Sequence, residues 1–486
     1  MSRPILLEGG RIVDGSGGPS WYGDVLMVGD RIERLGEGLR QRLPQGMVPS
    51  DLDVFDCRGK AIAPGFIDAH THDDAAVLQQ PEYLPKLSQG ITTVVTGNCG
   101  ISLAPYATTQ VLPPLTLLGA DSFRYADMAA YRDAVTAVQP ALNVAALVGH
   151  TTLRFAAMRD LARAANPDER THMAALLDAC MAEGAHGLSS GLFYEEAYAA
   201  PADEVTELAR VVARHGGVYA THLRSEMETI LEAMLEASDS AFQAGVPLVL
   251  SHHKCAGPSQ WGRTLETLPL VEAFAQRQQI AMDVYPYTAG STVLREDLVD
   301  GVIDVMITWS EPFPELGGRM LADIAAKWGV DQKTACRHLQ PGGACYFQMR
   351  EDDVERVIAH PLSMIGSDGL PHDRHPHPRL WGAFPRVLAR YWRGRGLFTL
   401  EQAIHKMTGL SARNFRIEGR GLLSAGAMAD VVVFDPETVR DTATYDQPQS
   451  VSEGITHVFV NGAHSYSGGE ARVLARNGRM LTRAQA

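Results

Sequence analysis

Gly65-Phe66-Ile67-Asp68-Ala69-His70-Thr71-His72-Asp73-Asp74 is the stretch from which the fold and the chemistry of this chain are read. Phe66-Ile67 is apolar and runs into two histidines with one residue between them. Side chains alternate along a strand, so His70 and His72 point to the same side. Two imidazoles at the mouth of a buried strand are placed to share a metal ion. The pair gains weight from the rest of the chain, where the other residue types of a metal site come in order.

Eight short apolar stretches read as strands: 66–70, 90–97, 143–150, 184–191, 216–223, 247–254, 280–287 and 361–368. Amphipathic helical stretches lie between many of them, such as 202–215 and 268–279. Strand-helix alternation on this scale predicts an α/β fold, a TIM-like (β/α)8 barrel rather than a doubly wound sheet. The span between the seventh and eighth strands is too long for one helix, so 289–350 reads as an inserted, lid-like subdomain. Before the barrel, Ile5-Leu6-Leu7, Arg11-Ile12-Val13 and Asp24-Val25-Leu26-Met27-Val28 are β-like, with turn signals at Asp14-Gly15 and Gly29-Asp30. The far end repeats the pattern at Val431-Val432-Val433-Phe434, His457-Val458-Phe459-Val460 and Arg472-Val473-Leu474. The expected organisation is a small β domain from 1–62 plus 419–486, around a barrel at 63–418.

At 486 residues the chain suits one large domain and a smaller one. Hydrophobic content of 45% and charged content of 21% are ordinary for a globular protein. Lys and Arg total 43 against 57 Asp and Glu, a net charge of −14, which argues against nucleic-acid or anionic-membrane partners. A small anionic substrate remains compatible, since a site can be locally positive. No signal peptide or long apolar run is read at the N-terminus or elsewhere. The six cysteines (57, 99, 180, 255, 336 and 345) contain no Cys-x-x-Cys pair and read as reduced thiols of a cytoplasmic protein.

Polar residues gather where the strands end: His70, His72, Cys99, His150, Ser189-Ser190, His222, His252-His253, Tyr285 and Asp368. The C-terminal ends of barrel strands are where active sites of this architecture lie. Thiolate, imidazole and carboxylate are the ligands a divalent ion such as Zn2+ takes. Cys99, in Thr96-Gly97-Asn98-Cys99-Gly100, sits among small residues that let a metal approach. His222 and His252 end successive strands and can reach one point, and His253 should face away from His252. Asp368, in Ile365-Gly366-Ser367-Asp368-Gly369, closes the ring at the last strand.

The chain resembles the amidohydrolase superfamily and, within it, the D-aminoacylases, the N-acyl-D-amino-acid deacylases. The resemblance runs from the β-rich N-terminus through Gly65–His72 to Ala429-Asp430-Val431-Val432-Val433. Its narrower part rests on Gly97-Asn98-Cys99-Gly100, Thr221-His222-Leu223-Arg224, Ser251-His252-His253-Lys254 and Tyr285-Pro286-Tyr287. In that family a cysteine does the metal-holding work that a modified lysine or a glutamate does elsewhere, and Cys99 matches it. The resemblance implies one tightly bound Zn2+ on Cys99, His222 and His252, and a second, weaker position at His70, His72 and Asp368. It also implies Asp368 as general acid and base, and Tyr194 as a donor to the developing oxyanion.

The same resemblance assigns Lys254, Tyr285, Ser291 and Arg379 to the substrate α-carboxylate. Arg295, at the start of the insertion, is a fixed positive charge that would favour an acidic D-residue, with N-acyl-D-glutamate the first expectation. The alternatives are a deacylase preferring apolar D-residues, another amidohydrolase acting on a cyclic amide or dipeptide, and, last, a non-catalytic scaffold.

Overall fold

The computed structural model describes residues 3–119 and 121–483. Its centre is a barrel of eight parallel strands, in order Phe66–Asp68, Ile91–Thr96, Asn143–Gly149, Gly187–Gly191, Val218–His222, Leu248–Leu250, Ile280–Val284 and Ser363–Ile365. Each lies inside a stretch expected to be a strand. The barrel closes where Ala69 donates its backbone N–H to Ile365 O (3.2 Å) and Asp368 donates to His70 O (2.8 Å). Every residue of these strands is buried. Most therefore read as largely apolar runs, as parallel strands covered on both faces do, although Gly187–Gly191 carries two serines.

Alternation sorts their side chains. Ile67, Ala69, Val95, Ala145, Leu147, Val218, Ala220, Val249, Ala281 and Met364 converge in one cluster with Leu410 and Phe415. Their neighbours in sequence, Phe66, Val94, Val144, Ala146, Val148, Leu248, Leu250 and Met282, pack instead with helical residues such as Val205, Leu208, Val212 and Phe274. Helix Ala202–Arg214 lies where its pattern placed it, whereas the one expected at 268–279 runs over Thr264–Ala275.

The two chain ends meet in one small sheet. Val431–Phe434 runs antiparallel to Ala61–Pro64, which pairs in turn with Ile5–Ile12. Trp21–Val28 and Arg31–Gly36 extend the sheet on one side, and Ile455–Val460, Ala463–Ser467 and Arg472–Val473 on the other. The strand Ala61–Pro64 crosses the expected boundary at residue 62. Met480–Leu481, assigned from sequence to the β domain, pairs with the barrel strand Asn143–Gly149. Two residues give no periodicity to read, and the pairing depends on where the barrel lies.

Between the seventh and eighth strands stands a separate unit. Gly290–Val293, Val305–Ser310 and Gly342–Tyr346 form an antiparallel sheet, with helices Leu321–Trp328 and Gln332–Leu339 beside it. It has its own core, built from Leu294, Val305, Ile307, Leu321, Ile324, Leu339 and Tyr346. No helix among the described residues is long and apolar enough to cross a membrane.

Candidate metal centre and substrate cavity

A cavity of about 580 Å3 opens at the C-terminal ends of the barrel strands. His72, Cys99, His222, His252 and Asp368 line its floor, and Ser291, Thr292, Arg295 and Asp297 of the inserted unit line its wall. The floor residues arrive from five different strand ends. Three of them, Cys99 (φ 53°), His252 (φ 36°) and Asp368 (φ 50°), occupy the left-handed backbone region. Such strain costs roughly 1–3 kcal/mol per residue and persists where the surroundings enforce it, typically at functional sites. Gly97 (φ 75°) shows the enforcement beside Cys99, because a Cβ there would lie 2.2 Å from Leu147 O.

Cys99 Sγ lies 3.3 Å from both His70 Nε2 and His252 Nε2. His72 Nε2 is 3.2 Å and His70 Nε2 3.5 Å from Asp368 Oδ1. Among the described residues, three sets of ligand atoms converge closely enough to hold an ion: His70, Cys99 and His252; His70, His72 and Asp368; and His222, Glu226 and His252. The second set is the one expected for the weaker position. For the tight position, geometry places His70 as near to Cys99 as His252 is, and puts Glu226 beside His222 and His252.

The electrostatics describe a place for a cation. Burial raises the Cys99 thiol, but His70 and His252 beside it bring it well below the usual thiol range. Burial also raises Asp368, and Arg379 followed by His70 outweighs it, holding the carboxylate well below its usual range. Burial lowers His72, yet its bond to Asp368 lifts it to about 9. Burial lowers His70 too, and Asp283 followed by Cys99 overcomes it, holding the imidazole well above the usual histidine range. Protons gathered around a thiolate and a carboxylate stand where a dication would displace them. His222 is the complement: burial lowers it, and its ring nitrogens meet no partner at full hydrogen-bonding geometry, with Cys99 beside it and Glu226 Oε2 3.8 Å from Nε2. A buried imidazole whose one lone pair is not taken up by a well-formed hydrogen bond, beside a thiolate, fits a zinc ligand set.

Behind this floor lie residues that the sequence reading missed. Asp283 is 3.2 Å from His70 Nδ1 and accepts the His252 backbone N–H. Its signal was a lone acid in the apolar strand Ile280–Val284. Glu226 Oε1 lies 3.0 Å from His252 Nδ1, and its signal was an acid four residues after His222. Burial raises the Glu226 carboxyl, and Lys254 with the two histidines holds it well below the usual range. Deeper still, Lys86 Nζ donates to Asp68 Oδ2 (2.7 Å) and Ser367 Oγ (2.6 Å), tying the first strand to the last beneath Asp368.

Of the residues assigned to substrate, Tyr194, Lys254, Tyr285, Ser291 and Arg295 line the cavity. Burial pushes the Tyr194 phenol far up, so it keeps its proton. Lys254 Nζ is already 2.6 Å from Glu226 Oε1. Arg295 lies over the Phe193 ring (4.5 Å) and pairs through Nε and Nη2 with Asp297 (2.9 and 2.6 Å).

Arg379 differs from expectation. It is fully buried outside the cavity wall, with Nη1 2.9 Å from Asp368 Oδ2 and Nη2 bonded to Ser291 O. Its helix Arg379–Arg386 directs the guanidinium behind Asp368, an orientation no spacing reveals. His150 and Ser189-Ser190 also stay away from the floor. His150 Nε2 meets Glu204 (3.0 Å), Ser189 donates to Gly97 O, and Ser190 bonds Tyr219 and Thr221. His253 turns outward to Thr267 Oγ1 (2.9 Å), opposite His252.

A profile of the amidohydrolase family matches residues 53–285 and 312–466. D-aminoacylase of Alcaligenes xylosoxydans xylosoxydans is 49% identical over 479 residues, covering 97% of each chain. N-acyl-D-glutamate deacylase of the same organism is 46% identical, covering 99% of this chain and 96% of the relative. The crystal structure of N-acyl-D-glutamate deacylase from Bordetella bronchiseptica, complexed with zinc and a phosphonate mimic of the tetrahedral intermediate, superposes with a TM-score of 0.93 at 45% identity, covering 99% of each chain.

Proposed function

Since the chain belongs to the amidohydrolase family, we propose that it is a zinc-dependent deacylase of N-acyl-D-amino acids, releasing a carboxylate and the free D-amino acid, with N-acyl-D-glutamate its preferred substrate. The observation that carries this reading is the cavity floor, where a depressed thiol, four histidines and a depressed carboxylate meet under a substrate-sized space. Cys99, His222 and His252 would hold one zinc, and His70, His72 and Asp368 would hold a second, weaker one. When bound there, zinc supplies positive charge that polarises an amide carbonyl and brings a water toward a pKa of about 7.

The chain's own groups do the rest. Asp368, kept ionised by Arg379, takes the proton of the attacking water and gives it to the departing amine nitrogen. Tyr194 donates its phenolic hydrogen to the oxygen that becomes negative. Lys254, Tyr285 and Ser291 hold the α-carboxylate within the cavity. Arg379 supports them from behind, through Ser291 O and its stacking on Tyr285 (4.6 Å).

Arg295 supports the acidic preference. Asp297 takes the Nε and Nη2 edge of its guanidinium, leaving Nη1 for a substrate carboxylate. One observation favours a second reading: Asp297 already balances that charge, which would suit an apolar D-side chain. The test is release of free amino acid from N-acetyl-D-Glu, N-acetyl-D-Leu and their L-enantiomers by zinc-loaded enzyme. Release from D-Glu ahead of D-Leu, with the preference lost in Arg295→Leu, is the expected result. A D-Leu preference would replace the acidic reading with the apolar one. Intact substrates throughout would remove the deacylase reading.

A further inference from the structure

A zinc-ligating histidine gives its lone pair through one ring nitrogen and keeps its proton on the other. His252 presents Nε2 to Cys99 at 3.3 Å, so its proton belongs on Nδ1. Two groups meet that Nδ1: Lys254 Nζ at 2.8 Å and Glu226 Oε1 at 3.0 Å. An ammonium is a donor only and cannot receive the Nδ1 proton. Glu226 can, and the same oxygen lies 2.6 Å from Lys254 Nζ. All three side chains are buried, and Lys254 is also the cation offered to the substrate.

We propose that Glu226 is a positioning residue that makes a metal ligand and a substrate cation compatible as neighbours. One carboxylate oxygen accepts from His252 Nδ1 and from Lys254 Nζ, so the two groups share an acceptor instead of opposing each other. The inference rests on the zinc reading of the floor and goes beyond it by giving a role to a residue outside the ligand set. The arrangement behind His70 shows what is particular here. Asp283 serves His70 Nδ1 in the same way, but no lysine shares it among the described contacts.

The test reads zinc retention against a competing chelator in the folded protein, with thermal unfolding of each variant as a check on structure. In Glu226→Gln, zinc affinity should fall roughly 10- to 100-fold, the usual effect of losing a partner behind a metal ligand. The Glu226→Gln/Lys254→Met double variant should recover most of that loss, because the opposing ammonium has gone. Lys254→Met alone should hold zinc at least as tightly as the parent, a result available even if Glu226→Gln folds poorly. Retention within twofold of the parent in Glu226→Gln would overturn the proposal. So would a loss that the double variant fails to recover, or weaker retention in Lys254→Met. None of these readouts uses a substrate, so a wrong substrate assignment leaves the test intact.

Discussion

Two buried charge clusters sit at the ends of barrel strands, and they have opposite characters. In one, Glu204 accepts from His150 and Arg154 through Oε1 and from the Ala165 N–H through Oε2. The remaining donors of Arg154 reach the carbonyls of Glu196, Leu161 and Arg163. In the other, the ring nitrogens of His222 meet no partner at full hydrogen-bonding geometry, Cys99 and Asp368 are held anionic among histidines, and three residues carry left-handed backbone. The first cluster faces packed helices and spends nearly all of its hydrogen-bonding capacity internally, with His150 Nδ1 the exception. The second faces a cavity and keeps lone pairs in reserve. Burial and charge alone therefore do not mark a site; unspent ligating capacity held in strained geometry toward a cavity does.

Removing ligating capacity should have the largest effect. Cys99→Ala should lose the tightly held zinc and measurable turnover together, read by metal analysis beside the deacylase assay. Full zinc with turnover intact would put Cys99 in the same class as Glu204. Next, Asp368→Asn should lower kcat by about 10²–10⁴-fold while zinc at the tight position is kept. A fall explained wholly by lost zinc would reduce Asp368 to a ligand.

A subtler contrast concerns Arg379, which bridges the site and the packed core behind it. Arg379→Met withdraws the charge that lowers the Asp368 pKa, so the acid limb of kcat/KM against pH should move to higher pH. An unmoved limb would show that Asp368 takes its low pKa from elsewhere. The smallest effect on activity is expected in the cluster that faces the packed helices. Glu204→Gln should leave kcat/KM unchanged at temperatures where the fold holds, yet cost about 3–5 kcal/mol of stability by stranding buried Arg154. A large kcat change at unaltered stability would blur the distinction between the clusters.

Much of the architecture was legible in the sequence. All eight barrel strands lie within stretches expected from their apolar runs, because a parallel strand buried on both faces has no polar register to obscure it. His70, His72, Cys99, His222, His252 and Asp368 come together at one end of the barrel because each ends a strand or lies within four residues past one, and strand ends converge there by construction. His150 also follows its strand directly, and it faces the other way, where Glu204 awaits it. Alternation names the residue at a strand end, while the turn after it sets the direction of the side chain.

The amino-acid sequence by itself determined the barrel, the origin of the candidate metal-ligating residues and the place of the insertion, since these depend on local periodicity and chain order. Only the tertiary structure decided the partners of those residues: Asp283 behind His70, Glu226 between His252 and Lys254, Arg379 behind Asp368, and Asp297 on Arg295. These pairs range from neighbours two residues apart, Arg295 and Asp297, to His70 and Asp283, 213 apart, and each depends on distances of a few ångströms and on one rotamer, which no spacing in a linear sequence encodes.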